Sequence, residues 1–363
     1  MRLKYLCSSF STSLTQSAVK SEGQYKVFGA SGFVGYLDEY AVAAPYLGIV
    51  KDGAGVGRVR KYNSYTSLLG TLAYIVPNEK VNIDWLKYVI QSLDLGNDID
   101  KTTIPHIYFS EYGNREINYI SLDEQQRIAT FLDGECARID SVIEKTRASI
   151  VEYKKLKQAV ITRAVTKGIR PAQTMKDSGL EWLGDIPADW DCCKLKYLIS
   201  SLNSGISVTA TDLIDEGYPV YGGGQQIGFF SQFNMEDTIV VGRVGAKCGC
   251  VTKVIGKAWA TDNALIVTTD FPKDYLYYIL VAAELNKLNT SNAQPLITSG
   301  KVLNYKVAVP PRAEQKEIAQ YLDEKTAAID LLIEKKNQLA TELERLKKSL
   351  IFEYVTGKKA VPA

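Results

Sequence analysis

The sequence has little of what membrane-spanning, exported or metal-binding proteins need. It contains no uninterrupted apolar run of about 18 residues, so neither a membrane-spanning helix nor a membrane partner is predicted. The apolar part of the amino terminus is too short for a secretory signal. One histidine and six cysteines without a Cys-x-x-Cys pair predict neither a zinc site nor a disulfide framework. We therefore expect a cytoplasmic protein with reduced thiols and no cofactor.

Basic charge is also scarce for a protein that binds nucleic acid. The 43 lysine and arginine residues nearly balance the 41 acidic residues, which leaves a net charge of +2. Proteins that grip phosphate backbones usually carry a clear basic excess. A prediction of DNA binding must therefore rest on local clusters of residues and on the organisation of the chain.

Catalytic motifs are missing as well. The one Pro-Pro pair, Pro310-Pro311, lacks the Asp/Asn and aromatic flanks of amino-methyltransferases, and the segment GAGVGR lacks the Lys-Ser/Thr ending of a P-loop. His106, the sole histidine, has no catalytic partners that the sequence can nominate. A structural or DNA-contacting role for His106 is favoured over general-base catalysis, and we predict that the chain is not an enzyme.

The chain contains a long internal repeat. Shifted by 190 residues, segment 124–166 aligns without a gap with segment 314–356, and about 18 of the 43 aligned positions are identical. Upstream, LKYL at 3–6 reappears at 195–198, and YKVFGASGFVGY at 25–36 resembles YPVYGGGQQIGF at 218–229. The sequence therefore predicts one duplicated unit, in which a variable globular part is followed by a long helix.

Apolar residues at steps of three, four and seven predict long helices over 121–168 and 311–357. Ser121 and Glu124 are spaced as a capping box at the start of the first helix. Each helix would be about 60 Å long, and two matching apolar stripes favour a coiled coil over two helices packed in separate domains. Either orientation is open on chain length alone, but duplication favours a two-fold-like arrangement and therefore an antiparallel pair.

The globular parts, 1–120 and 191–310, are rich in short apolar runs bounded by turn residues. Strands are predicted at 72–76, 239–241, 264–267 and 305–309, and helices at 85–93 and 275–288. The fold class is α+β: two mixed α/β domains, each with a curved and largely antiparallel sheet, separated by two long helices in a pseudo-two-fold repeat.

Each globular part holds a cluster of glycine and basic residues. Glycine lets the backbone approach a ligand closely, while arginine and lysine neutralise phosphate or read guanine; the alternative is a pair of tight turns with solvated charges. Polar stretches at 95–108 and 288–301 add side chains that can pair with base edges. The candidate DNA-binding residues are Lys51, Arg58, Arg60, Lys61, Asn63, Lys101, Thr102, His106, Gln225, Gln226, Arg243, Lys247, Lys253, Asn292, Gln294 and Lys301.

Two phrases carry a resemblance to a known family. LNYKVAVPPRAEQKEIAQYLDEKTAAIDLLIEK at 303–335 and AVTKGIRPAQTMKDSGLEWLGDIPADW at 164–190 closely resemble the specificity subunits of type I restriction–modification enzymes. The resemblance extends to the order of parts along nearly the whole chain. One departure is that SGLEWLGDIPADW has no copy before the first globular part, so docking of a partner on that side is expected to differ.

The resemblance implies two target recognition domains (1–120 and 191–310), conserved helices (121–168 and 311–357), a linker (169–190) and a tail (358–363). Each domain would read one half of a split, asymmetric site in double-stranded DNA. Two methyltransferase subunits, and through them motor-nuclease subunits, would dock on the conserved regions. The implied partner-binding residues are Glu124, Gln125, Asp133, Glu314, Gln315, Asp323, Trp182 and Trp190. A non-DNA coiled-coil scaffold remains the alternative, supported by the weak net charge.

Overall fold

The computed structural model describes residues 1–53, 55–96, 105–171, 173–289 and 295–362. The chain divides into two compact units, the first comprising Met1–Arg147 with Asn337–Ala363 and the second comprising Ala148–Lys336. Each long helix contributes one part to each unit. No helix among the described residues is both long and apolar enough to cross a bilayer.

The first unit begins with seven strands and two helices and continues into the first long helix. Its elements are β1 (Cys7–Ser11), β2 (Tyr25–Gly29), β3 (Gly32–Leu37), β4 (Tyr46–Val50), β5 (Val59–Tyr62), β6 (Ser67–Leu68), β7 (Leu72–Pro77), α1 (Ile83–Ser92), α2 (Phe109–Tyr112) and α3 (Leu122–Lys167).

The core of the first unit lies under a sheet with the strand order β1-β7-β4-β5. All five residues of β4 are buried, as its apolar sequence YLGIV predicts. Helix α1 covers this sheet through Trp85 and Leu86, while Asn82 caps its first turn. Ile128 and Leu132 of α3 complete the core. A second sheet, β3-β2-β6, includes the parallel pair β2–β6.

The second unit has the remaining ten strands and three helices. Its elements are β8 (Met175–Asp177), β9 (Asp185–Pro187), β10 (Asp191–Lys194), β11 (Ser201–Ser204), β12 (Tyr218–Gly222), β13 (Gln225–Phe230), β14 (Met235–Gly242), β15 (Val251–Ala260), β16 (Ala264–Thr268), α4 (Lys273–Ala282), α5 (Ser299–Asn304), β17 (Lys306–Val309) and α6 (Arg312–Val355), which continues into the first unit.

The six-stranded sheet of the second unit repeats the topology of the first. Its order is β11-β16-β14-β15-β12-β13, and the long strand β15 takes the places of both β5 and β6. β15 continues through Gly256 at φ 74°, which glycine adopts without a steric cost, whereas Tyr65 at φ 58° lies between β5 and β6. As predicted, all pairings are antiparallel except β2–β6 and β12–β15 among the described strands.

The two long helices pair antiparallel in each unit, which confirms the prediction from duplication. In the first unit, Asp140 and Arg147 of α3 bind Lys347 and Glu344 of α6, respectively. In the second unit, Lys157 of α3 binds Asp330 of α6, and Arg170, just after α3, binds Glu317 of α6. Advancing along α3 therefore means retreating along α6. The alternative of helices packed in separate domains is wrong.

One segment differs from the expectation. The helix predicted over 275–288 ends at Ala282, and a separate 3-10 turn follows at Leu285–Leu288, because Glu284 takes a left-handed conformation at φ 44°. Within the range predicted as a linker, β8 and β9 form a hairpin, and Trp190 is fully buried in the core of the second unit.

Candidate nucleic-acid interface

The glycine-rich clusters form the same hairpin connection in both units. In the first unit, the loop between β4 and β5 is held by Gly53, whose N–H donates to Pro105 O at 3.0 Å, and by Lys51 O, which accepts from Ile107 N at 3.0 Å. Gly57 has φ 84°, and a Cβ atom there would lie 2.9 Å from Gly96 N. Only glycine fits this position without a backbone shift.

The second unit repeats this arrangement between β14 and β15. Gly245 N donates to Pro295 O at 3.0 Å, and Arg243 O accepts from Ile297 N at 2.9 Å. Gly249 has φ 84°, and a Cβ atom there would collide with the backbone of Asn286. We call residues 51–58 the first loop and residues 243–250 the second loop. Both are tight turns, as the alternative interpretation of these clusters expected, and both expose basic side chains.

Three of the predicted residues of the first unit lie at the first loop. His106 Nδ1 lies 2.7 Å from Asp52 Oδ1, and Lys51 Nζ lies 3.6 Å from Asp52 Oδ2. Arg58 is exposed, and its Nε donates to Gly55 O at 3.2 Å. A carboxylate flanked by two basic side chains keeps them in place without removing them from solvent. Arg60 and Asn63 are exposed nearby, on β5 and directly after it.

Lys61 and Lys253 form ion pairs with helix residues rather than with residues of the loops. Lys61 Nζ lies 2.7 Å from Asp84, and Lys253 Nζ lies 2.6 Å from Asp274. Each aspartate lies in the first turn of a helix, α1 or α4, where the helix dipole favours negative charge. Because this pair occurs in both units, we assign it first to fastening the helix to the sheet.

The second loop has further polar side chains beside it. The turn between β12 and β13 packs on this loop: a Cβ atom on Gly224 would lie 2.9 Å from Cys250 O. Gln225 and Gln226 follow this turn and are exposed, as is Lys247. Arg243 Nη1 donates to Asp262 O at 3.3 Å. These four candidate side chains therefore lie together.

The remaining candidates lie elsewhere. Lys301 is exposed on the short helix α5. Lys101, Thr102, Asn292 and Gln294 lie outside the described residues.

Sequence reasoning missed a contribution from the long helix. Lys154 and Lys157 of α3 line a groove of the second unit together with Lys247 and Cys250 of the second loop. Asp330 lines the same groove and pairs with Lys157. The signal was present as two lysines three residues apart on one helix face, but such spacing is common on solvated helices and gives no partner.

Four predicted partner-binding side chains are buried within the chain. Trp190 Nε1 donates to Glu314 Oε2 at 3.2 Å, while Gln125 and Gln315 bind backbone carbonyls at the starts of α3 and α6. Their first role is therefore to fix the helix starts. Trp182 is partly exposed, and its Nε1 donates to Lys306 O at 3.2 Å.

The other three are acidic and accessible. Asp133 and Asp323 are exposed, and each accepts a 2.6 Å hydrogen bond from a tyrosine, Tyr88 or Tyr278. Burial raises the pKa of both phenols, so they remain donors at neutral pH. Glu124 is partly exposed and pairs with Arg127 at 3.2 Å. No cluster of three or more potential metal ligands occurs among the residues whose placement is described.

Comparison with known proteins finds a family that the second globular part is similar to. Residues 187–341 match the family described as type I restriction modification DNA specificity domain. This segment is similar to a type I specificity domain. It begins at the end of β9 and extends well into α6. The first unit repeats the sheet topology of this domain.

Relatives extend the likeness beyond the specificity domain and confirm the resemblance seen in the sequence. The chain is 26% identical over 324 aligned residues to the type I restriction enzyme MjaVIII specificity subunit of Methanocaldococcus jannaschii, covering 75% of this chain and 69% of that one. It is 29% identical over 133 residues to the EcoprrI specificity subunit of Escherichia coli, covering 34% of this chain and 33% of that one.

A solved structure shares the fold over nearly the full length. It comes from work on complex assembly and conformational transition of the type I R-M system, and it matches with a TM-score of 0.69 at 14% identity. The match covers 99% of this chain and 97% of that chain. The chain therefore shares the fold of that solved structure.

Proposed function

We propose that the chain is the DNA-specificity subunit of a type I restriction–modification enzyme, with one half-site read by each unit. The observation that carries this proposal is that the first and second loops share a backbone conformation but carry different side chains. The first loop presents Lys51 and Arg58 beside His106. The second presents Arg243 and Lys247. Equivalent backbones with different side chains suit a protein that reads two different half-sites, so the whole site is asymmetric.

The chemistry of the loops suits readout of base edges in the major groove. Arginine and lysine pair with the O6 and N7 acceptors of guanine, and the side-chain amides of Gln225 and Gln226 suit adenine. The antiparallel helices set the distance between the two readers, and therefore the length of the spacer between the half-sites.

Partner subunits supply what this chain lacks. Two methyltransferase subunits dock on the repeated helix starts, where Glu124, Asp133, Asp323 and Trp182 remain accessible, and motor-nuclease subunits join through them. Catalysis belongs to those partners, so this chain is not itself an enzyme. They also provide much of the contact with phosphates, which accounts for a net charge of only +2.

Methylome sequencing of cells that carry this chain with its methyltransferase tests the proposal. We expect one bipartite, asymmetric site with a fixed spacer. The paired variants Lys51→Ala/Arg58→Ala and Arg243→Ala/Lys247→Ala should each relax one half-site and leave the other intact, since a good base contact contributes about 1–3 kcal/mol of discrimination. Lys20→Ala, which removes an exposed ion pair with Asp38, is the matched control.

A gel-shift with random-sequence DNA at low salt separates the proposal from the scaffold alternative. If the chain is a DNA-specificity subunit, a complex with DNA should form only or mainly when the methyltransferase is present. Absence of DNA binding in both conditions would favour a coiled-coil scaffold.

A further inference from the structure

The groove beside the second loop keeps an excess of positive charge after its ion pairs are counted. Its volume is about 630 Å³, all of its walls belong to the second unit, and three lysines line it: Lys154, Lys157 and Lys247. Its two acidic residues, Asp330 and Glu284, are each paired with a lysine. Lys154 and Lys247 are exposed and have no ion-pair partner among the residues that the structure describes. The groove therefore offers two accessible positive groups to a ligand.

The second loop lacks a charge that the first loop carries. In the first loop, Arg58 O accepts from Val50 N at 2.9 Å. In the second loop, Cys250 O accepts from Gly242 N at 2.8 Å, so Cys250 occupies the position of Arg58. Both side chains are exposed, but one is a guanidinium and the other is a thiol. Cys250 lines the groove described above, so the missing cation would have stood at this groove.

The long helices differ in the opposite sense. Lys154 of α3 aligns with Glu344 of α6 in the gapless part of the repeat. Glu344 pairs with Arg147 at 2.6 Å, so the first unit has a compensated acid at this position, where the second unit has a base. The second unit has thus lost a cation from its loop and gained one on its helix. Because Lys154 and Cys250 line one groove, the exchange keeps a positive group beside the second loop.

A phosphate of the DNA backbone is the group that Lys154 suits. Lysine neutralises phosphate as a point charge on a flexible side chain, without the planar fork with which arginine reads a base. Every base edge is flanked by phosphates of its own strand. A base that is read by Lys247 therefore brings a phosphate towards the groove that Lys154 shares with it.

We propose that Lys154 contacts a backbone phosphate of the second half-site, next to the base that Lys247 reads. The contact is independent of base sequence: it strengthens binding and fixes the position of the DNA, while the second loop selects the bases. It has no counterpart in the first unit, where Glu344 stands at the equivalent position. The inference rests on the proposed function and adds that α3 holds the second half-site together with the loop.

The salt dependence of DNA binding tests the inference. Each phosphate contact contributes about 0.9 to the slope of log Kd against log salt concentration. In Lys154→Ala we expect this slope to fall by about 0.9, and binding at low salt to weaken several-fold, by a similar factor for the target and for a duplex with one changed base pair. Kd is measured by fluorescence anisotropy of labelled duplexes, with the chain in complex with methyltransferase.

Lys155→Ala is the matched control. Lys155 is exposed, pairs with Glu152 at 2.9 Å within α3 and is not among the residues that line the groove. Removing the same charge there should leave the slope almost unchanged. The rescue variant is Lys154→Ala/Cys250→Arg, which gives the second loop the arginine of the first. It should restore most of the lost slope, because the new guanidinium lies at the same groove.

Three outcomes would overturn the inference. Equal slopes for Lys154→Ala and Lys155→Ala would place this face of α3 outside the DNA interface. A changed second half-site in methylome sequencing of Lys154→Ala would mean that Lys154 reads a base. Weaker binding of the methyltransferase to Lys154→Ala without DNA, measured by native mass spectrometry, would assign the groove to that subunit. The proposed function fails separately, if the complex of the unaltered chain binds no DNA at low salt.

Discussion

Lys347 Nζ of α6 donates to both carboxylate oxygens of Asp140 of α3, at 2.7 and 2.6 Å. The same contact occurs in the other unit with the roles of the helices exchanged, since Lys157 of α3 donates to both oxygens of Asp330 of α6 at 2.8 and 2.6 Å. Each lysine and each aspartate is separated from its counterpart by the repeat length. The duplication therefore fixes the register of the helix pair.

A double-mutant cycle measures what this register contact contributes. The lysines are about 70% buried and the aspartates mostly exposed, so solvent screens each pair. We expect a coupling free energy of about 0.5 kcal/mol, from urea unfolding, both for Lys157→Ala with Asp330→Ala and for Lys347→Ala with Asp140→Ala. The exposed pair of Lys155 with Glu152, within one helix, should give a smaller coupling. A coupling near zero in both units would remove these pairs from the determinants of register.

Buried tyrosines should make the protein sensitive to alkaline pH. Burial raises the pKa of Tyr88, Tyr112 and Tyr278 above the ordinary value of 10.0. A raised pKa in the folded state means stability that is complete below about pH 10 and is lost as the unfolded chain ionises above it. The urea midpoint should therefore fall steeply between about pH 9.5 and 11.

Replacing Tyr88 and Tyr278 by Phe should make that fall shallower, at the cost of about 1 kcal/mol per lost hydrogen bond at pH 8. The matched control is Tyr197→Phe, because Tyr197 is 71% exposed. A pH profile that is the same in all three proteins would contradict the assignment of the alkaline transition to buried phenols.

The sequence predicted the long elements well because their signals are local and repeated. Helices predicted over 121–168 and 311–357 are observed at Leu122–Lys167 and Arg312–Val355. The predicted end of α4 was wrong, because no glycine or proline in the sequence marks the break before Glu284. Its left-handed backbone is set by tertiary packing rather than by local propensity.

The candidate site was only partly predictable. The glycine-rich clusters form turns, as one of the two interpretations predicted, because glycine in a turn is a local requirement. Lys61 and Lys253 are next to these loops in sequence, yet they pair with helix residues that lie about 20 positions away. Gln125 Oε1 accepts a hydrogen bond from Asn82 N, whereas Gln315 Oε1 has no such donor because Pro272 stands at the corresponding position. The donor position is more than 40 residues away from the glutamine, so the identity of the two glutamines could not predict this difference.

The second loop should tolerate no side chain at Gly249. In Gly249→Ala the new Cβ collides with the backbone of Asn286, so we expect loss of methylation at the target and a lower Tm. Gly256→Ala is the matched control, with φ 74° and open space around its Cβ. It should lose only about 1 kcal/mol of stability and keep its target. Equal effects of the two variants would mean that the packing of the second loop does not matter.

Thiol labelling offers a direct view of the second loop. Cys192 and Cys250 are exposed, whereas Cys7, Cys136 and Cys248 are buried. Burial raises the pKa of Cys7 to about 12, so its thiolate is scarce at neutral pH. Maleimide should therefore modify Cys192 and Cys250 first, as read by peptide mass spectrometry.

Bound target DNA, in the complex with methyltransferase, should slow the labelling of Cys250 and leave Cys192 unchanged. DNA with a scrambled half-site is the control and should protect Cys250 less. Equal labelling of Cys250 with and without target DNA would place the second loop outside the interface.

Shortening both long helices together should change the spacer and nothing else. Deleting residues 144–150 of α3 and 337–343 of α6 removes about two turns from each helix, or about 10 Å. The contacts of Asp140 with Lys347 and of Lys157 with Asp330 both lie outside the deleted segments, so each unit keeps its own. We expect methylome sequencing to return the same two half-sites with a spacer about 3 base pairs shorter, since B-DNA rises about 3.4 Å per pair. Deleting only 144–150 is the control and should abolish methylation, because the two helices then disagree in length. An unchanged spacer in the double deletion would show that the partner subunits, rather than these helices, set the distance between the readers.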